Sequence, residues 1–428
     1  MSITVYRKPS GGFGAIVPQA KIENLVFEGG GPKGLVYVGA VEVLGERGLL
    51  EGIANVGGAS AGAMTALAVG LGLSPREIRA VVFNQNIADL TDIEKTVEPS
   101  SGITGMFKSV FKKGWQAVRN VTGTSDERGR GLYRGEKLRA WIRDLIAQRV
   151  EAGRSEVLSR ADADGRNFYE KAAAKKGALT FAELDRVAQM APGLRLRRLA
   201  FTGTNFTSKK LEVFSLHETP DMPIDVAVRI SASLPWFFKS VKWNGSEYID
   251  GGCLSNFPMP IFDVDPYRGD ASSKIRLGIF GQNLATLGFK VDSEEEIRDI
   301  LWRSPESTSD GFFQGILSSV KASAEHWVVG IDVEGATRAS NVAVHGKYAQ
   351  RTIQIPDLGY STFKFDLSDA DKERMAEAGA KATREWLALY FDDAGIEVEF
   401  SDPNELRGQL SDAAFADLED SFRALIAA

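Results

Sequence analysis

Two short apolar segments near the N-terminus each run into glycines and then into a helix-like stretch. Residues 24–27 (NLVF) precede a glycine loop, and residues 53–57 precede the segment GASAG at 58–62. Apolar side chains at helical spacing follow the first turn, and small residues fill the second helical stretch, 61–71. Consecutive strand–helix units bury both strands best in a parallel sheet covered by helices. This repetition therefore predicts an α/β fold with a mainly parallel sheet.

Later segments extend this pattern along the chain. Further strands are predicted at residues 199–204, 211–215, 246–249, 275–280 and 351–355. Helices are predicted at residues 135–150, 223–233, 316–326, 368–390 and 411–427. Ser74 and Pro75 have the residue types that favour a helix start, with serine as N-cap and proline in the first turn. The section 151–178 is charged and alanine-rich, so we expect a surface insertion there.

Composition excludes several classes of protein. Hydrophobic residues make up 43% and charged residues 25% of the 428 residues, values of an ordinary soluble globular protein. A net charge of −6 gives no reason to expect nucleic-acid binding, and the single cysteine, Cys253, excludes an internal disulfide. Residues 1–21 lack the apolar core of a secretory signal and are broken by glycine and proline, so we expect a mobile arm. With no apolar run of spanning length, we expect a cytoplasmic protein, or one exported without a cleavable signal peptide.

The segment GASAG places Ser60 between two residues with little side chain. A serine at a sharp strand-to-helix turn is exposed, and the helix that begins there directs its N–H groups towards an oxyanion formed beside the serine. The alternative is a small-residue turn that only lets a helix pack tightly on the sheet. From this segment alone, both interpretations remain open.

The glycine loop Glu28–Gly34 reads EGGGPKG. Three consecutive glycines leave backbone N–H groups uncovered, and such groups can approach a substrate oxygen closely. A phosphate-binding loop requires Ser or Thr after the lysine, whereas Gly34 follows Lys33, so that interpretation is weak. A plain glycine-rich turn remains the main alternative.

A third motif places Asp250 at the end of a predicted strand, before Gly251 and Gly252. An isolated Asp-Gly is usually a turn. Here it follows the glycine loop and the serine segment in order, each after a strand, and this order favours a shared site. The histidines, His217, His326 and His345, have no catalytic setting and are more typical of structural or surface positions.

The motifs GGGPKG, GASAG and DGG, in this order, resemble those of the patatin-like phospholipases, a family of lipid acyl hydrolases. Similar segments include GLYRGEKLRAWI, LTFAEL, LAFTGTNF, AVRISASLPWFF and DLSDADKERMAEAG. The resemblance implies a three-layer α/β/α fold with the serine on a nucleophile elbow, plus helical insertions. It implies an arm at 1–21, a catalytic domain at 22–390 interrupted at 95–131 and 151–178, and a C-terminal helical extension at 391–428.

The resemblance also implies a site without metal or cofactor. Ser60 would be the nucleophile and Asp250 its base.

The other implied residues support the reacting groups: the N–H groups of Gly29, Gly30 and Gly31 as the oxyanion hole, Lys33 at the family's basic position, and Ala61 beside the serine. Because the ordinary pKa of aspartate is ~3.9, desolvation must raise it for this role. Cys253 is more typical of a small packed residue than of a nucleophile.

The expected substrate is a phospholipid or another fatty-acyl ester, cleaved by a phospholipase A or lysophospholipase-like activity. Certain bacterial effectors of the family need a host protein activator, so an activator is an open question for this chain. Two alternatives remain: an α/β-hydrolase esterase with a Ser-His-Asp triad, and a catalytically silent lipid-binding or interaction protein of the same fold.

Residues 103–121 combine large apolar side chains with lysines. Phe107, Phe111 and Trp115 recur at helical spacing, and residues 107–139 hold nine Lys or Arg against three Asp or Glu. This pattern suits a lid or a helix at an anionic membrane surface, where the protein would associate peripherally. A basic amphipathic helix packed on the protein body is the equal alternative.

Overall fold

The computed structural model describes residues 3–9, 11–17, 22–84, 90, 133–235, 237–264, 267, 283–293, 297, 348–361, 364, 367–393, 396–407, 410 and 412–427. The basic segment with Phe107, Phe111 and Trp115 lies outside these residues. So do the strand predicted at 275–280 and the helix predicted at 316–326.

The described strands form two sheets. In chain order they are β1 (Val5–Arg7), β2 (Phe13–Val17), β3 (Asn24–Phe27), β4 (Asn55–Gly58), β5 (Arg198–Asn205), β6 (Lys210–Ser215), β7 (Val241–Trp243), β8 (Ser246–Asp250), β9 (Thr286–Asp292), β10 (Thr352–Pro356) and β11 (Ile396–Phe400). The larger sheet has the order β10-β9-β3-β4-β5-β8-β7, with β6 also pairing with β5. The smaller sheet has the order β1-β2-β11.

The larger sheet is parallel from β10 to β5 and antiparallel beyond it. Its register pairs Phe27 of β3 with Phe289 of β9 and Gly58 of β4 with Phe201 of β5. Every residue of β3 and β4 is buried, as expected for parallel strands covered on both faces. The predicted mainly parallel sheet is confirmed, and its parallel strands bring the carboxyl ends of β3 and β4 to one edge.

The described helices are α1 (Val36–Glu46), α2 (Ala61–Gly70), α3 (Pro75–Asn84), α4 (Glu136–Ala152), α5 (Arg154–Arg160), α6 (Ala163–Ala174), α7 (Phe181–Met190), α8 (Ile224–Ser231), α9 (Gly252–Ser255), α10 (Asp369–Trp386) and α11 (Asp412–Ala427). A 3₁₀ turn, Gly31–Leu35, connects β3 with α1. Helix α2 packs on β3, β4 and β5, while α1 and α10 pack on each other. The fold is the expected three-layer α/β/α arrangement.

The structure differs from the expectation of a surface insertion at residues 151–178. It forms α5 and α6 and contributes Val157, Tyr169 and Ala172 to the main hydrophobic core, with Val157 and Tyr169 fully buried. The prediction that these residues lie at the surface is therefore wrong for the side chains that pack in the core. The helices are amphipathic, so their many charged side chains face solvent while a few apolar ones supply the packing.

The two ends of the chain correct another expectation. Residues 3–9 and 11–17 are not a mobile arm, because β1 pairs with β2 and β2 pairs with β11 from the C-terminal extension. A second hydrophobic cluster joins these strands to α11. Its buried members are Ile3, Val5, Ala15, Val17, Leu284, Val398, Phe400, Leu406, Leu410, Phe415 and Leu418. The C-terminal extension is thus part strand and part helix. No described helix has the length and apolar content that crossing a bilayer would require.

Candidate active site

Ser60 occupies the turn between β4 and α2 in a strained backbone conformation, with φ 51° and ψ −122°. The flanking glycines make this turn sterically feasible. A Cβ added at Gly62 would lie 2.2 Å from the carbonyl oxygen of Phe27, because α2 begins directly against the end of β3. The G-x-S-x-G spacing therefore reflects a close approach of two elements, and it holds the serine at the start of a helix.

The backbone around Ser60 provides hydrogen-bond donors. The N–H of Ser60 donates to Oγ of Ser231 at 3.1 Å, so it is already occupied. Within the described chain, no acceptor takes the N–H of Ala61, the first residue of α2. This donor and the positive end of the helix dipole lie beside the serine, where an oxyanion would form.

Asp250 ends β8, which pairs with β5 at Gly203. The residue is 1% exposed, and its Oδ1 accepts the N–H of Gly252 at 2.7 Å. Burial raises the pKa of the Asp250 carboxyl from 3.8 to about 7, against the lowering effects of the Gly252 N–H, the Ser60 hydroxyl and the Arg229 charge. The structure thus brings the Ser60 hydroxyl within the influence of the Asp250 carboxyl.

The second carboxylate oxygen of Asp250 is open. Among the described residues, no donor forms a hydrogen bond of normal geometry with Oδ2, although this atom is buried. The Ser60 hydroxyl lowers the pKa of the carboxyl without making such a bond. Hydrogen bonds between catalytic groups often become short only when substrate binds. A desolvated carboxyl with a free acceptor and a pKa near neutrality can take a proton from a neighbouring hydroxyl.

The glycine loop lies against Ser60, but one of its three predicted oxyanion-hole donors is wrong. The N–H of Gly29 donates to the carbonyl oxygen of Asn256 at 3.0 Å, so it does not serve an oxyanion. In the described chain, the N–H groups of Gly30 and Gly31 meet no acceptor. A Cβ at Gly29 would lie 3.0 Å from Cβ of Ser60 and 2.3 Å from Oδ1 of Asn256. Gly29 is therefore needed for close packing, and Gly30 and Gly31 are the remaining candidates in the loop.

Lys33 is buried and pairs with a carboxylate that lies 324 residues further along the chain. Its Nζ lies 2.6 Å from Oδ2 of Asp357, which directly follows β10. The pair connects the turn after β3 to the end of β10. Lys33 therefore supports the glycine loop through this contact, and its charge is balanced by Asp357.

Several residues that shape the site have no recognisable motif in the sequence. Asn256 donates through Nδ2 to Oε1 of Glu28 at 3.2 Å and to the carbonyl of Gly29 at 3.0 Å, which ties the loop to the turn after Asp250. Ser231 accepts a hydrogen bond from the N–H of Ser60, and Ser233 accepts one from the N–H of Asp250. The signal for the two serines was present in the segment AVRISASLPWFF, where they follow a helical pattern and precede Asp250.

The remaining candidates have other surroundings. His217 packs its ring against Tyr267, with ring centroids 5.2 Å apart. His326 and His345 lie outside the described residues. Cys253 is 4% exposed, and burial raises the pKa of its thiol well above the ordinary value, as for a packed neutral thiol.

Sequence comparison relates the chain to known proteins. The family model described as patatin-like phospholipase matches residues 25–263. The uncharacterized protein YqhO of Bacillus subtilis is 30% identical over 250 residues, which cover 57% of this chain and 67% of that protein. A probable lipid hydrolase of invertebrate iridescent virus 6 is 42% identical over 57 residues, 13% of this chain and 20% of that protein.

Two solved structures have a similar fold. VipD from Legionella pneumophila aligns with a TM-score of 0.50 at 17% identity, over 99% of this chain and 77% of that one. The heterodimeric ExoU–SpcU complex of the Pseudomonas aeruginosa type III secretion system aligns with a TM-score of 0.51 at 18% identity, over 99% of this chain and 62% of that one. At these identities the likeness speaks for the fold. The family match spans more than half of the 428 residues and includes Ser60 and Asp250, so this chain belongs to the patatin-like phospholipase family of lipid acyl hydrolases.

Proposed function

We propose that the protein is a phospholipase A-type acyl hydrolase that cleaves fatty-acyl esters with a dyad of Ser60 and Asp250. One observation carries the proposal. The buried Asp250 carboxyl has a pKa of about 7, and its Oδ2 accepts no hydrogen bond from the described residues. The hydroxyl of Ser60 lowers this pKa, and Ser60 is held in a strained turn at a helix N-terminus. These are the properties of a base and a nucleophile that work without a histidine.

The reaction divides into two acyl transfers. Oδ2 of Asp250 takes the proton of the Ser60 hydroxyl while Oγ attacks the ester carbonyl carbon. The N–H groups of Gly30, Gly31 and Ala61 stabilise the oxyanion, and the alcohol leaves with the proton from Asp250. Water then gives a proton to Asp250 as its oxygen attacks the acyl carbonyl carbon. The bond from this carbon to Oγ breaks as Asp250 returns the proton to Oγ, which releases the fatty acid and restores the serine.

The substrate assignment rests on the family, which acts on lipids, and on the short lipid hydrolase relative. A phospholipid is presented in a bilayer, so the proposal includes peripheral contact with a membrane surface during turnover.

Fatty-acid release from mixed phospholipid vesicles tests the proposal. We expect Ser60→Ala and Asp250→Asn each to reduce the rate by ~10³-fold or more, because the two residues act as a unit. Ser215→Ala is the matched control, since Ser215 is fully buried and its hydroxyl oxygen accepts the N–H groups of His217 and Glu218 away from the dyad. It should retain the wild-type rate.

Other outcomes separate the alternatives. Equal release by wild type, Ser60→Ala and Asp250→Asn would refute the dyad. Loss of activity in folded His217→Gln would favour a histidine-dependent triad. A wild-type protein that releases no fatty acid and whose Ser60 does not react with a fluorophosphonate would be a silent scaffold.

A further inference from the structure

The C-terminal end of α8 contacts both residues of the proposed dyad. Oγ of Ser231, the last residue of the helix, accepts the N–H of Ser60 at 3.1 Å. Two residues later, the carbonyl oxygen of Ser233 accepts the N–H of Asp250 at 3.1 Å. One short segment therefore fixes the backbone of both residues, although Ser60 follows β4 and Asp250 ends β8.

The bond from Ser231 bears on the strained turn. Ser60 has a positive φ, a conformation that a non-glycine residue keeps only when its surroundings enforce it. Ser231 is fully buried, so its hydroxyl is shielded from solvent and its hydrogen bond with this N–H lies inside the protein. Loss of the hydroxyl would leave a buried donor without a partner and allow the Ser60 peptide to rotate.

A buried arginine anchors the segment at Ser233. Arg229 is 1% exposed, and its guanidinium donates to the carbonyl oxygens of Arg134 at 2.8 Å and Lys239 at 2.9 Å, and to the hydroxyl of Ser233. That hydroxyl in turn donates to the carbonyl of Arg229 at 2.6 Å. The ring of Phe238 covers the guanidinium, with its centroid 4.7 Å from Cζ. The turn that accepts the Asp250 N–H is therefore held in place by the hydrogen bonds between Arg229 and Ser233.

The Arg229 charge also acts on Asp250. Of the described groups that act on this carboxyl, Arg229 from α8 is the cation, and its charge lowers the pKa of Asp250. Cys253 from α9 is a buried thiol, the β4–α2 turn presents the neutral Ser60 hydroxyl, and β5 faces Asp250 with Gly203. Arg229 therefore favours the carboxylate form that accepts the proton.

We propose that Ser231, Ser233 and Arg229 are positioning residues that align Ser60 with Asp250. This inference rests on the proposed dyad. A small displacement between a nucleophile and its base is expected to reduce turnover strongly while leaving substrate binding in place.

The first test removes the Ser231 hydroxyl. With a soluble fatty-acyl ester, Ser231→Ala should lower kcat by about 10- to 100-fold and change KM by less than about twofold. Ser231→Thr, which keeps the hydroxyl, should recover most of kcat. The control Ser215→Ala loses an equally buried hydroxyl and should keep the wild-type kcat. Equal kcat values for Ser231→Ala and Ser215→Ala would overturn the proposal, as would a folded Ser231→Thr as slow as Ser231→Ala.

The second test measures the effect of Arg229 through the pH profile, and it does not depend on whether Ser231→Ala folds. In Arg229→Met the acid limb of kcat/KM should move up by about one pH unit, because the carboxylate loses its neighbouring cation. Arg229→Lys, which keeps the charge, should move it less. Acid limbs identical to the wild type in folded variants would overturn the role of Arg229.

Ser60→Ala in the same assays separates the two proposals. An inactive Ser60→Ala beside a fully active Ser231→Ala removes the positioning role and leaves the dyad. An active Ser60→Ala removes the dyad and with it the positioning role.

Discussion

At the scale of single residues, Asp250 meets two opposing requirements. Burial favours its neutral form, yet the proposed chemistry needs the carboxylate. The Gly252 N–H, the Ser60 hydroxyl and the Arg229 charge offset part of the burial effect, so that the pKa reaches about 7 and no higher. The carboxyl is therefore basic enough to accept a proton and still ionised in a substantial fraction at neutral pH.

The first prediction concerns the pH dependence of hydrolysis. For a soluble fatty-acyl ester, kcat/KM should rise about tenfold per pH unit at acidic pH and level off above the Asp250 pKa of about 7, because only the carboxylate accepts the serine proton. Initial rates measured between about pH 5 and pH 9, with circular dichroism to confirm folding at each pH, would check this. A rate that is already constant between about pH 5 and pH 6 would refute Asp250 as the base with this pKa.

The second prediction concerns stability. The folded-state pKa of Asp250, about 7, lies above its ordinary value of 3.8. The folded state therefore keeps the proton to higher pH than the unfolded chain. The stabilisation from this protonation is complete below about pH 4 and is lost as the pH rises towards 7, by an amount on the order of 4 kcal/mol. Asp250→Asn does not have this loss. The unfolding free energy of the variant should therefore increase relative to that of the wild type as the pH rises through this window.

Urea unfolding at about pH 4.5 and about pH 8 measures the difference between variant and wild type. Asp369→Asn is the control, because the Asp369 side chain is 93% exposed, and its difference from the wild type should stay nearly constant. A gap for Asp250→Asn that does not widen with pH would contradict the raised pKa.

At the scale of elements, the order of strands, turns and helices could be predicted from continuous stretches of sequence, whereas the partners of individual groups in the glycine loop could not. The order β3, glycine loop, α1, β4, Ser60, α2 could be predicted because each signal lies in one continuous stretch. The occupied N–H of Gly29 and the ion pair of Lys33 could not, because Asn256 and Asp357 come from remote parts of the chain. Their own neighbours in sequence give no sign of these partners.

The third prediction tests the packing of α2 against β3. A methyl group at Gly62 would meet the backbone oxygen of Phe27 at 2.2 Å, and neither rigid element can move without loss of contacts. Gly62→Ala should therefore lower the unfolding free energy by about 2 kcal/mol or more and reduce kcat. Gly52→Ala is the control, since a Cβ there would lie 3.5 Å from the carbonyl of Ile22, an ordinary contact distance.

Urea denaturation of both variants checks the comparison. Gly52→Ala should change the unfolding free energy by less than about 1 kcal/mol. Equal stability of the two variants would mean that the α2 N-terminus is less tightly packed on β3 than these distances require.

At the scale of the whole molecule, two N-terminal strands and one strand from the C-terminal part form one small sheet. Strand β2 pairs along its length with β11, and α11 supplies Phe415 and Leu418 to the same cluster. The sequence predicts separate segments at the two ends, because β1 and β2 are short and are flanked by glycine and proline. The strand that pairs β2 with the C-terminal part, β11, lies almost four hundred residues away, so no local pattern indicates it.

The fourth prediction follows from the alternation of side chains along β2. Val17 is fully buried in the terminal cluster, whereas the adjacent Ile16 is 44% exposed. Val17→Asn would bury an amide among apolar side chains and should lower the unfolding free energy by about 2–4 kcal/mol. Ile16→Asn places the same side chain one residue away at a half-exposed position, and it should change stability by less than about 1 kcal/mol. Thermal and urea unfolding of the two variants measure the difference in stability.

Because the dyad lies on the larger sheet, Val17→Asn should still hydrolyse ester at temperatures well below its unfolding midpoint. Two variants with the same midpoint would show that the terminal sheet does not contribute to the folded state in solution, and the N-terminal segment would then be the mobile arm that its composition suggests.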